Sequence, residues 1–387
     1  MKVAVVKELL PGERRVALVP ASLLALFKAG LEVVVETGAG DEAGFPDAQY
    51  TEKGATIASD RASAFQADVV LQVRAAGANK GFAGSDLQLL RKDQIVIATC
   101  DPLGDPQASQ QVGMTGASLF SLELIPRITR AQSMDVLTSQ ATIAGYRAVL
   151  LAAMELDKIF PMMMTAAGTL PAAKVFIIGV GVAGLQAIAS ARKLGAIVSA
   201  YDVRPACREQ VESLGGKFVE LKLETTGGED KGGYAKAMDE EFYRRQGELL
   251  GSVVAQSDVV ITTAAIPGKK SPLLLTADAI QGMHPGGIII DLAAERGGNC
   301  ELTKADQRVN HRGVTILGPT NIASDVPQHA SLMFSNNVAK FLLNLVKKGE
   351  VDMNMDDEII RETLVTRGGD VALSRVRDLL GMTALTS

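Results

Sequence analysis

The chain contains few of the residues from which disulfide frameworks and metal sites are built. Its 387 residues include three cysteines, three histidines and no tryptophan. The cysteines Cys100, Cys207 and Cys300 stand far apart, no CxxC pair occurs, and the histidines are equally scattered. Because zinc sites use closely spaced cysteines and histidines, we predict no metal site, and we expect free thiols in a reducing compartment.

Long apolar runs and dense clusters of positive charge are also missing. The longest apolar stretch, Val175–Ala191, is interrupted by glycines and by Gln186, which favours a strand, turn and helix over a membrane span. The N-terminal apolar run is short and cut by charges, so no export signal is expected. With 39 basic and 44 acidic side chains, the net charge is −5. We therefore predict no nucleic-acid partner and no direct membrane span.

Short strand-like runs alternate with helical stretches along the whole chain, which is the pattern of an α/β protein. The length suits two domains. The predicted strands are Val3–Val6, Glu32–Glu36, Ala67–Val73, Gln94–Thr99, Val175–Ile178, Ile197–Tyr201, Lys217–Val219, Val259–Thr263, Ile288–Leu292 and Thr315–Leu317. The alternation predicts two Rossmann-like domains with mostly parallel sheets.

Two long stretches with helical spacing of apolar residues, about 133–159 and 324–346, predict helices that join the domains around a cleft. Domain 1 is then discontinuous and comprises residues 1–132 and 325–387. Domain 2, residues 133–324, is expected to bind the nucleotide.

A glycine turn follows the predicted strand Val175–Ile178 and opens a helix, in the sequence Gly-Val-Gly-Val-Ala-Gly. Gly179 permits the tight turn, Gly181 allows the backbone to approach a pyrophosphate, and Gly184 lets helix and strand pack closely. The helix N-terminus offers N–H groups to the phosphates. Asp202, at the end of the next strand, is expected to accept hydrogen bonds from the adenosine ribose, which favours NAD(H).

Arg204 leaves the nucleotide choice open, because an arginine just after this strand can also hold a 2'-phosphate. We favour a solvated or stacking role for Arg204. The complete spacing of strand, turn, helix and acid argues against a turn that binds no ligand.

A polar loop precedes the first long helix. Arg127 and Asp135 could pair there and hold Gln132 towards a nicotinamide or ribose. The equally weighted alternative is a helix N-terminus that Ser133 caps, with Arg127 solvated.

Three further segments have alternative interpretations. Thr263, Ala264 and Ala265 end a strand, where open α/β sheets bind ligands, and contact with adenosine or ribose is expected. The segment 297–299 is either a plain loop or part of the site, and the sequence favours neither interpretation over the other. Methionines 162–164 are expected to fill gaps in the core rather than to face a partner.

Motifs over nearly the whole chain point to one family. They are Leu124–Gln140, Tyr146–Ala148, Phe160–Gly168, Gly179–Gln186, Gly232–Lys236, Thr262–Gly268, Asp291–Ala293 and Gly297–Cys300. Together they resemble the NAD(H)-binding component of proton-translocating nicotinamide nucleotide transhydrogenase. The resemblance implies a homodimer, held at the cytoplasmic face of the inner membrane by membrane-anchored partner subunits that include an NADP(H)-binding domain. The chain ends without membrane helices, as in the separate-subunit form.

The resemblance also implies residue roles. Gln132 would position the nicotinamide, Arg127 and Asp135 would shape its loop, and Tyr234 would lie on a lid within the glycine-rich, charged segment 224–251. Direct hydride transfer to NADP(H) on the partner needs no acid or base in this chain. The residues expected to contact NAD(H) are Ile128, Thr138, Ser139, Gly179, Gly181, Val182, Ala183, Gly184, Asp202, Val203, Arg204, Gly233, Tyr234, Thr263, Ala264, Ala265 and Leu292. Either Thr138 or Ser139 stands for the serine usual in the family.

Two other functions remain possible from the sequence. Alanine dehydrogenase shares the architecture, and Arg15 matches its substrate-binding arginine. However, Gln72 and Arg74 stand where that family places its catalytic lysine, and no histidine precedes His284. Oxidation of an amino acid requires a base, so these differences argue against this activity. The second alternative is a regulatory protein that binds NAD without turnover.

Overall fold

The computed structural model describes residues 1–81, 83–220, 240–265, 268–347 and 349–383. Its strands, in chain order, are β1 Lys2–Val5, β2 Glu32–Glu36, β3 Thr56–Ala58, β4 Val69–Arg74, β5 Ile95–Thr99, β6 Ser118–Ser121, β7 Met163–Thr165, β8 Gly168–Leu170, β9 Lys174–Ile178, β10 Ile197–Tyr201, β11 Lys217–Phe218, β12 Val259–Thr262, β13 Ile288–Asp291, β14 Arg308–His311, β15 Val314–Leu317, β16 Val346–Lys347, β17 Glu350–Val351, β18 Leu364–Arg367 and β19 Asp370–Val371.

The α-helices separate most of these strands. They are α1 Leu23–Lys28, α2 Asp47–Glu52, α3 Arg61–Ala64, α4 Ala83–Leu87, α5 Pro106–Met114, α6 Val136–Glu155, α7 Val182–Lys193, α8 Cys207–Ser213, α9 Glu240–Val254, α10 Ala277–Ile280, α11 Pro327–Leu345, α12 Glu358–Thr363 and α13 Ser374–Leu379. Among the helices of the described ranges, none is both long and apolar enough to cross a bilayer.

The chain divides into two compact units. Unit 1 comprises residues 1–140 and 323–387, and unit 2 comprises residues 141–322. The first division falls inside α6, eight residues beyond the predicted boundary at 132. The second falls before α11, so α11 belongs wholly to unit 1, although the sequence predicted a helix that joins the domains.

Both long helices are shorter than the predicted ranges 133–159 and 324–346. Helix α6 begins after Asp135, whose carboxylate accepts hydrogen bonds from the N–H and the hydroxyl of Thr138. This is the geometry of an N-cap. The preceding residues form a 3-10 helix, Thr129–Met134. Helix α11 begins at Pro327, whose fixed φ suits the first turn of a helix.

In unit 1, one sheet contains eight strands in the order β3-β2-β1-β4-β5-β6-β18-β19. The strands from β3 to β6 are parallel, and β18 pairs antiparallel with β6. Successive strands are added to the sheet in one direction from β1 to β3 and in the other from β4 to β6, so the direction of winding reverses between β1 and β4. Helix α11 supplies hydrogen-bond acceptors to an irregular segment of the chain: the buried hydroxyls of Ser331 and Ser335 accept the N–H groups of Val16 and Val19.

In unit 2, seven strands form a sheet in the order β11-β10-β9-β12-β13-β15-β14, and among the described residues of this sheet only the pair of β14 and β15 is antiparallel. The winding reverses between β9 and β12. Strand β9 is buried on both faces: Val175 and Ile177 join one apolar cluster, while Phe176 and Ile178 join another. This burial explains its unbroken apolar run. Both units thus have the doubly wound α/β fold predicted from the sequence.

The methionines at 162–164 correct one prediction. Strands β7 and β8 form an isolated antiparallel hairpin in which each residue is exposed. The exposed fractions are 62% for Met162, 44% for Met163 and 74% for Met164. The expected role as core filling is wrong, because this hairpin pairs with neither large sheet.

Candidate functional site

The glycine turn in unit 2 joins β9 to α7 at the point where the winding reverses. Gly179 has φ 94°, and a Cβ there would lie 2.7 Å from the Thr263 hydroxyl. A Cβ on Gly184 would lie 1.9 Å from the carbonyl oxygen of Gly179. At Gly181, a Cβ would meet nothing within 4 Å. Packing therefore requires glycine at 179 and 184, whereas Gly181 leaves open space beside the turn.

The N-terminus of α7 can hold an anion in that space. Gly181 precedes the helix, and in the described chain no side-chain hydrogen bond caps it. The first N–H groups of a helix lack intrahelical acceptors and carry partial positive charge. Val182 and Ala183 are half-buried, so their N–H groups are available to a phosphate at the surface of the turn.

The acid at the end of β10 forms an ion pair. The Arg204 guanidinium donates from Nε to Asp202 Oδ1 at 2.9 Å and from Nη2 to Oδ2 at 3.0 Å. The Arg204 N–H also donates to Oδ1, at 2.9 Å. The Arg204 side chain is only 15% exposed, so the prediction of a solvated side chain is wrong, whereas a stacking role against the nucleotide stays a prediction. The two-residue spacing lets one carboxylate bind both the backbone and the side chain of Arg204.

Asp202 also ties β10 to the glycine turn. The N–H of Val180 donates to Asp202 Oδ2 at 2.7 Å, and Arg204 Nη2 donates to the Val180 carbonyl at 3.2 Å. Val203 is half-buried beside this pair. The carboxylate and the guanidinium therefore lie together beside the turn, where an adenosine ribose is expected.

The ends of β12 and β13 complete this edge of the sheet. The Thr263 hydroxyl donates to the Gly179 carbonyl at 2.9 Å. Ala264 is half-buried and Ala265 is exposed. The N–H of Leu292, also half-buried, donates to the Thr262 carbonyl at 2.9 Å. The structure thus brings those predicted residues of unit 2 that it describes to the carboxyl ends of adjacent parallel strands, where α/β proteins bind ligands.

Two residues at this edge were missed or left undecided from the sequence. Asn299, for which a plain loop and a part in the site were both open, is fully buried and hydrogen-bonded to both backbone groups of Ala264. Asp291, at the end of β13, is also fully buried and was not assigned a role. A carboxylate at the end of an apolar strand, followed closely by Gly-Gly-Asn, is the signal that could have identified them.

The polar loop of unit 1 has a different cap from the one proposed. Asp135 caps α6, so the interpretation that Ser133 caps it is wrong. Gln132 and Arg127 are exposed, and Ile128 is half-buried.

The two candidate hydroxyls after this loop differ in environment. Thr138 is half-buried and bonded to Asp135, whereas Ser139 is buried and donates to the Val136 carbonyl at 3.1 Å. Gly233 and Tyr234, expected on the lid, lie outside the described residues.

An ion cluster occupies the reversal point of unit 1. Arg15 Nη2 lies 2.6 Å from Glu13 Oε2, and Arg74 Nε lies 3.1 Å from the same oxygen. Burial alone would raise the pKa of Glu13, but the two guanidiniums lower it to about 2. Burial, with the Glu13 charge second, raises the pKa of Glu8 to about 8. Arg15 and Arg74 are therefore both engaged with an internal carboxylate.

Comparison with known proteins covers both units. The family described as alanine dehydrogenase/PNT matches with its N-terminal domain over residues 4–144 and its C-terminal domain over residues 148–374. The first part of the NAD(P) transhydrogenase alpha subunit of Rhodospirillum rubrum is 46% identical, across 96% of this chain and 97% of its own length. The corresponding protein of Rickettsia prowazekii is 39% identical, across 98% of both chains.

A solved structure of a related protein supports the same family assignment. The crystal structure of a transhydrogenase from Sinorhizobium meliloti superposes with a TM-score of 0.83 at 42% identity, covering 96% of this chain and 99% of that one. An L-alanine dehydrogenase superposes with a TM-score of 0.82 at 23% identity, covering 98% and 99%, which shows a shared fold.

Proposed function

Since the chain belongs to the alanine dehydrogenase/PNT family, we propose that it is the NAD(H)-binding subunit of a nicotinamide nucleotide transhydrogenase. It exchanges hydride directly between NAD(H) on unit 2 and NADP(H) on a partner subunit, and a membrane partner couples the exchange to proton translocation. The observation that carries this proposal is the glycine turn, open at Gly181 and flanked by the buried acid Asp202. NAD(H) supplies the transferred hydride when bound.

The site residues have separate roles in this proposal. The N–H groups at the start of α7 bind the pyrophosphate, and Asp202 orients the adenosine ribose. Gln132 presents an exposed amide from the loop that Asp135 and Arg127 shape, and it positions the nicotinamide. Hydride exchange between nicotinamides releases no proton, so these residues bind, orient and exclude water.

The remaining features concern assembly. We infer that the chain forms a homodimer and is held at the cytoplasmic face of the inner membrane by its partner subunits. The exposed methionines of the β7–β8 hairpin support a protein contact, since exposed apolar side chains concentrate at interaction surfaces. Light scattering should give the mass of a dimer, and a monomer mass would contradict this assignment. Binding to partner-free membrane vesicles would contradict the proposed attachment.

The ion cluster of unit 1 argues against alanine dehydrogenase activity. The Arg15 guanidinium, which would receive a substrate carboxylate, is paired with Glu13. Gln72, in the region of the missing lysine, donates to Asp86 Oδ2 at 2.9 Å and offers no base.

A labelled-hydride experiment tests the proposal. NADH deuterated at the transferred position is incubated with this chain, NADP⁺ and a purified NADP(H)-binding partner. We expect deuterium in NADPH only when both proteins are present. NADH-dependent amination of pyruvate by the isolated chain would instead establish the dehydrogenase. Tight NADH binding with no exchange in the presence of a competent partner would favour the regulatory protein.

A further inference from the structure

A chain of hydrogen bonds crosses the carboxyl ends of β13, β12 and β9 in unit 2. We name it the Asn299 clasp; its members are Asp291, Asn299, Ala264, Thr263 and Gly179. The N–H of Asn299 donates to Asp291 Oδ2 at 2.8 Å, and the Asn299 side chain binds Ala264. The Thr263 hydroxyl then donates to the carbonyl of Gly179 at 2.9 Å. The clasp thus connects a fully buried acid to the first glycine of the turn.

Asn299 holds the segment after β12 through both ends of its amide. Its Oδ1 accepts the N–H of Ala264 at 3.0 Å, and its Nδ2 donates to the Ala264 carbonyl at 2.8 Å. Nδ2 also donates to the carbonyl of Pro272 at 2.8 Å. The side chain thereby acts as a neighbouring strand would, since it satisfies both backbone groups of one residue beyond the end of the sheet.

Asp291 fixes the loop that carries Asn299. Its two oxygens accept five hydrogen bonds, from Thr262 Oγ1, Ala293 N, Asn299 N, Cys300 N and Thr303 Oγ1. At Gly298, φ is 81° and a Cβ would lie 2.6 Å from Asp291 Oδ2. The loop is therefore wrapped around a buried carboxylate, and buried charge is tolerated only with such complete hydrogen bonding.

The position of the clasp relates it to one half of a dinucleotide. A dinucleotide lies across the reversal point of a doubly wound sheet, with one mononucleotide on each side. Asp202, which follows β10, marks the adenosine side of the boundary between β9 and β12. Ala264 follows β12 and Asp291 ends β13, and both of these strands lie on the other side.

We propose that Asn299 and Asp291 are positioning residues for the nicotinamide half of NAD(H). They hold Ala264, just beyond the end of β12, on the side of the sheet where the nicotinamide ribose is expected, so that the ring is presented for hydride exchange. This inference rests on the proposed function, because it assigns a role within the same nucleotide site.

Binding of two ligands to Asn299→Ala tests the proposal. NADH occupies both halves of the site, whereas ADP occupies only the adenosine half. Loss of the three side-chain hydrogen bonds should weaken NADH binding about tenfold and change ADP binding less than about twofold. The matched control is Asn310→Ala, since Asn310, exposed near the end of β14, accepts the Gly313 N–H with its Oδ1 at 3.1 Å. Its affinities should equal those of the wild type.

A second variant keeps the test decisive if Asn299→Ala does not fold. Thr303→Val removes one donor to Asp291 at nearly constant volume, and it should weaken NADH about threefold with ADP unchanged. Equal weakening of NADH and ADP in a folded variant would overturn the proposal, as would unchanged NADH binding. If the wild-type chain binds ADP but not NADH, the proposed function itself fails.

Discussion

We expect Asp202→Asn to shift the preference of the site from NAD(H) towards NADP(H). The substitution keeps the shape of the side chain but removes its charge. In the wild type, the Asp202 carboxylate forms an ion pair with the Arg204 guanidinium, and Asp202 is only 8% exposed. In the variant, the paired guanidinium becomes available to a 2'-phosphate, a ligand that arginine binds well.

The magnitude follows from the lost and gained contacts. Hydrogen bonds to a charged acceptor contribute about 2 kcal/mol, so NADH binding should weaken roughly thirtyfold. Removal of the negative charge that repels the 2'-phosphate, together with a contact from the Arg204 guanidinium, favours NADPH by a further ~1 kcal/mol or more. The ratio of the two dissociation constants should therefore move by about 3 kcal/mol, or roughly 100-fold.

The assay is titration of each variant with NADH and NADPH, followed by nucleotide fluorescence. Arg204→Ala added to Asp202→Asn should reverse the gain in NADPH affinity. Arg308→Ala, at the far edge of the same sheet, serves as the control for loss of one positive charge. If Asp202→Asn binds NADPH no more tightly than the wild type, or if the added Arg204→Ala improves NADPH binding, the reasoning is refuted.

Three further changes test other parts of the structure. Gly184→Ala should lower the free energy of unfolding by roughly 1–3 kcal/mol, because its Cβ meets the Gly179 carbonyl. Gly181→Ala should unfold at the wild-type temperature but lose NADH affinity. Equal melting temperatures for the two variants would contradict this expectation. Gln132→Asn should slow the transfer of deuteride from NADH to NADP⁺ more than it weakens NADH binding. Equal losses of transfer rate and of NADH affinity would exclude a positioning role for Gln132. Glu13→Gln should lower the free energy of unfolding by about 3 kcal/mol at pH 7. Because the pKa of Glu13 in the folded protein is lowered to about 2, the difference in stability between variant and wild type should disappear as pH falls from 4.5 towards 2. Urea unfolding at each pH would measure this difference.

The glycine turn and the strands of unit 2 could be predicted because their signals are local. Strand β9 is buried on both faces, so its sequence is an uninterrupted apolar run. The glycines at 179 and 184 are required by contacts within the strand-turn-helix unit or with the adjacent strand β12. Local sequence therefore indicates both the fold and the most specific part of the site.

The features that escaped prediction depend on long-range or rotamer-level geometry. Asn299 and Ala264 are 35 residues apart, and only the pairing of β12 with β13 brings them together. The Asp202–Arg204 pair depends on a side-chain conformation that spacing does not determine. The exposure of the β7–β8 hairpin follows from its failure to join either large sheet.

The discontinuity of unit 1 has a consequence for the order of synthesis. Its sheet is incomplete without β18, and the N–H groups of Val16 and Val19 donate to serines of α11. All of unit 2 is translated between these two parts. At ~5–20 residues per second, the N-terminal segment waits roughly ten to forty seconds for its missing helix and strand. Chains stalled after residue 322 should thus carry a protease-resistant unit 2 and a sensitive N-terminal segment, which gives chaperones a defined interval in which to bind.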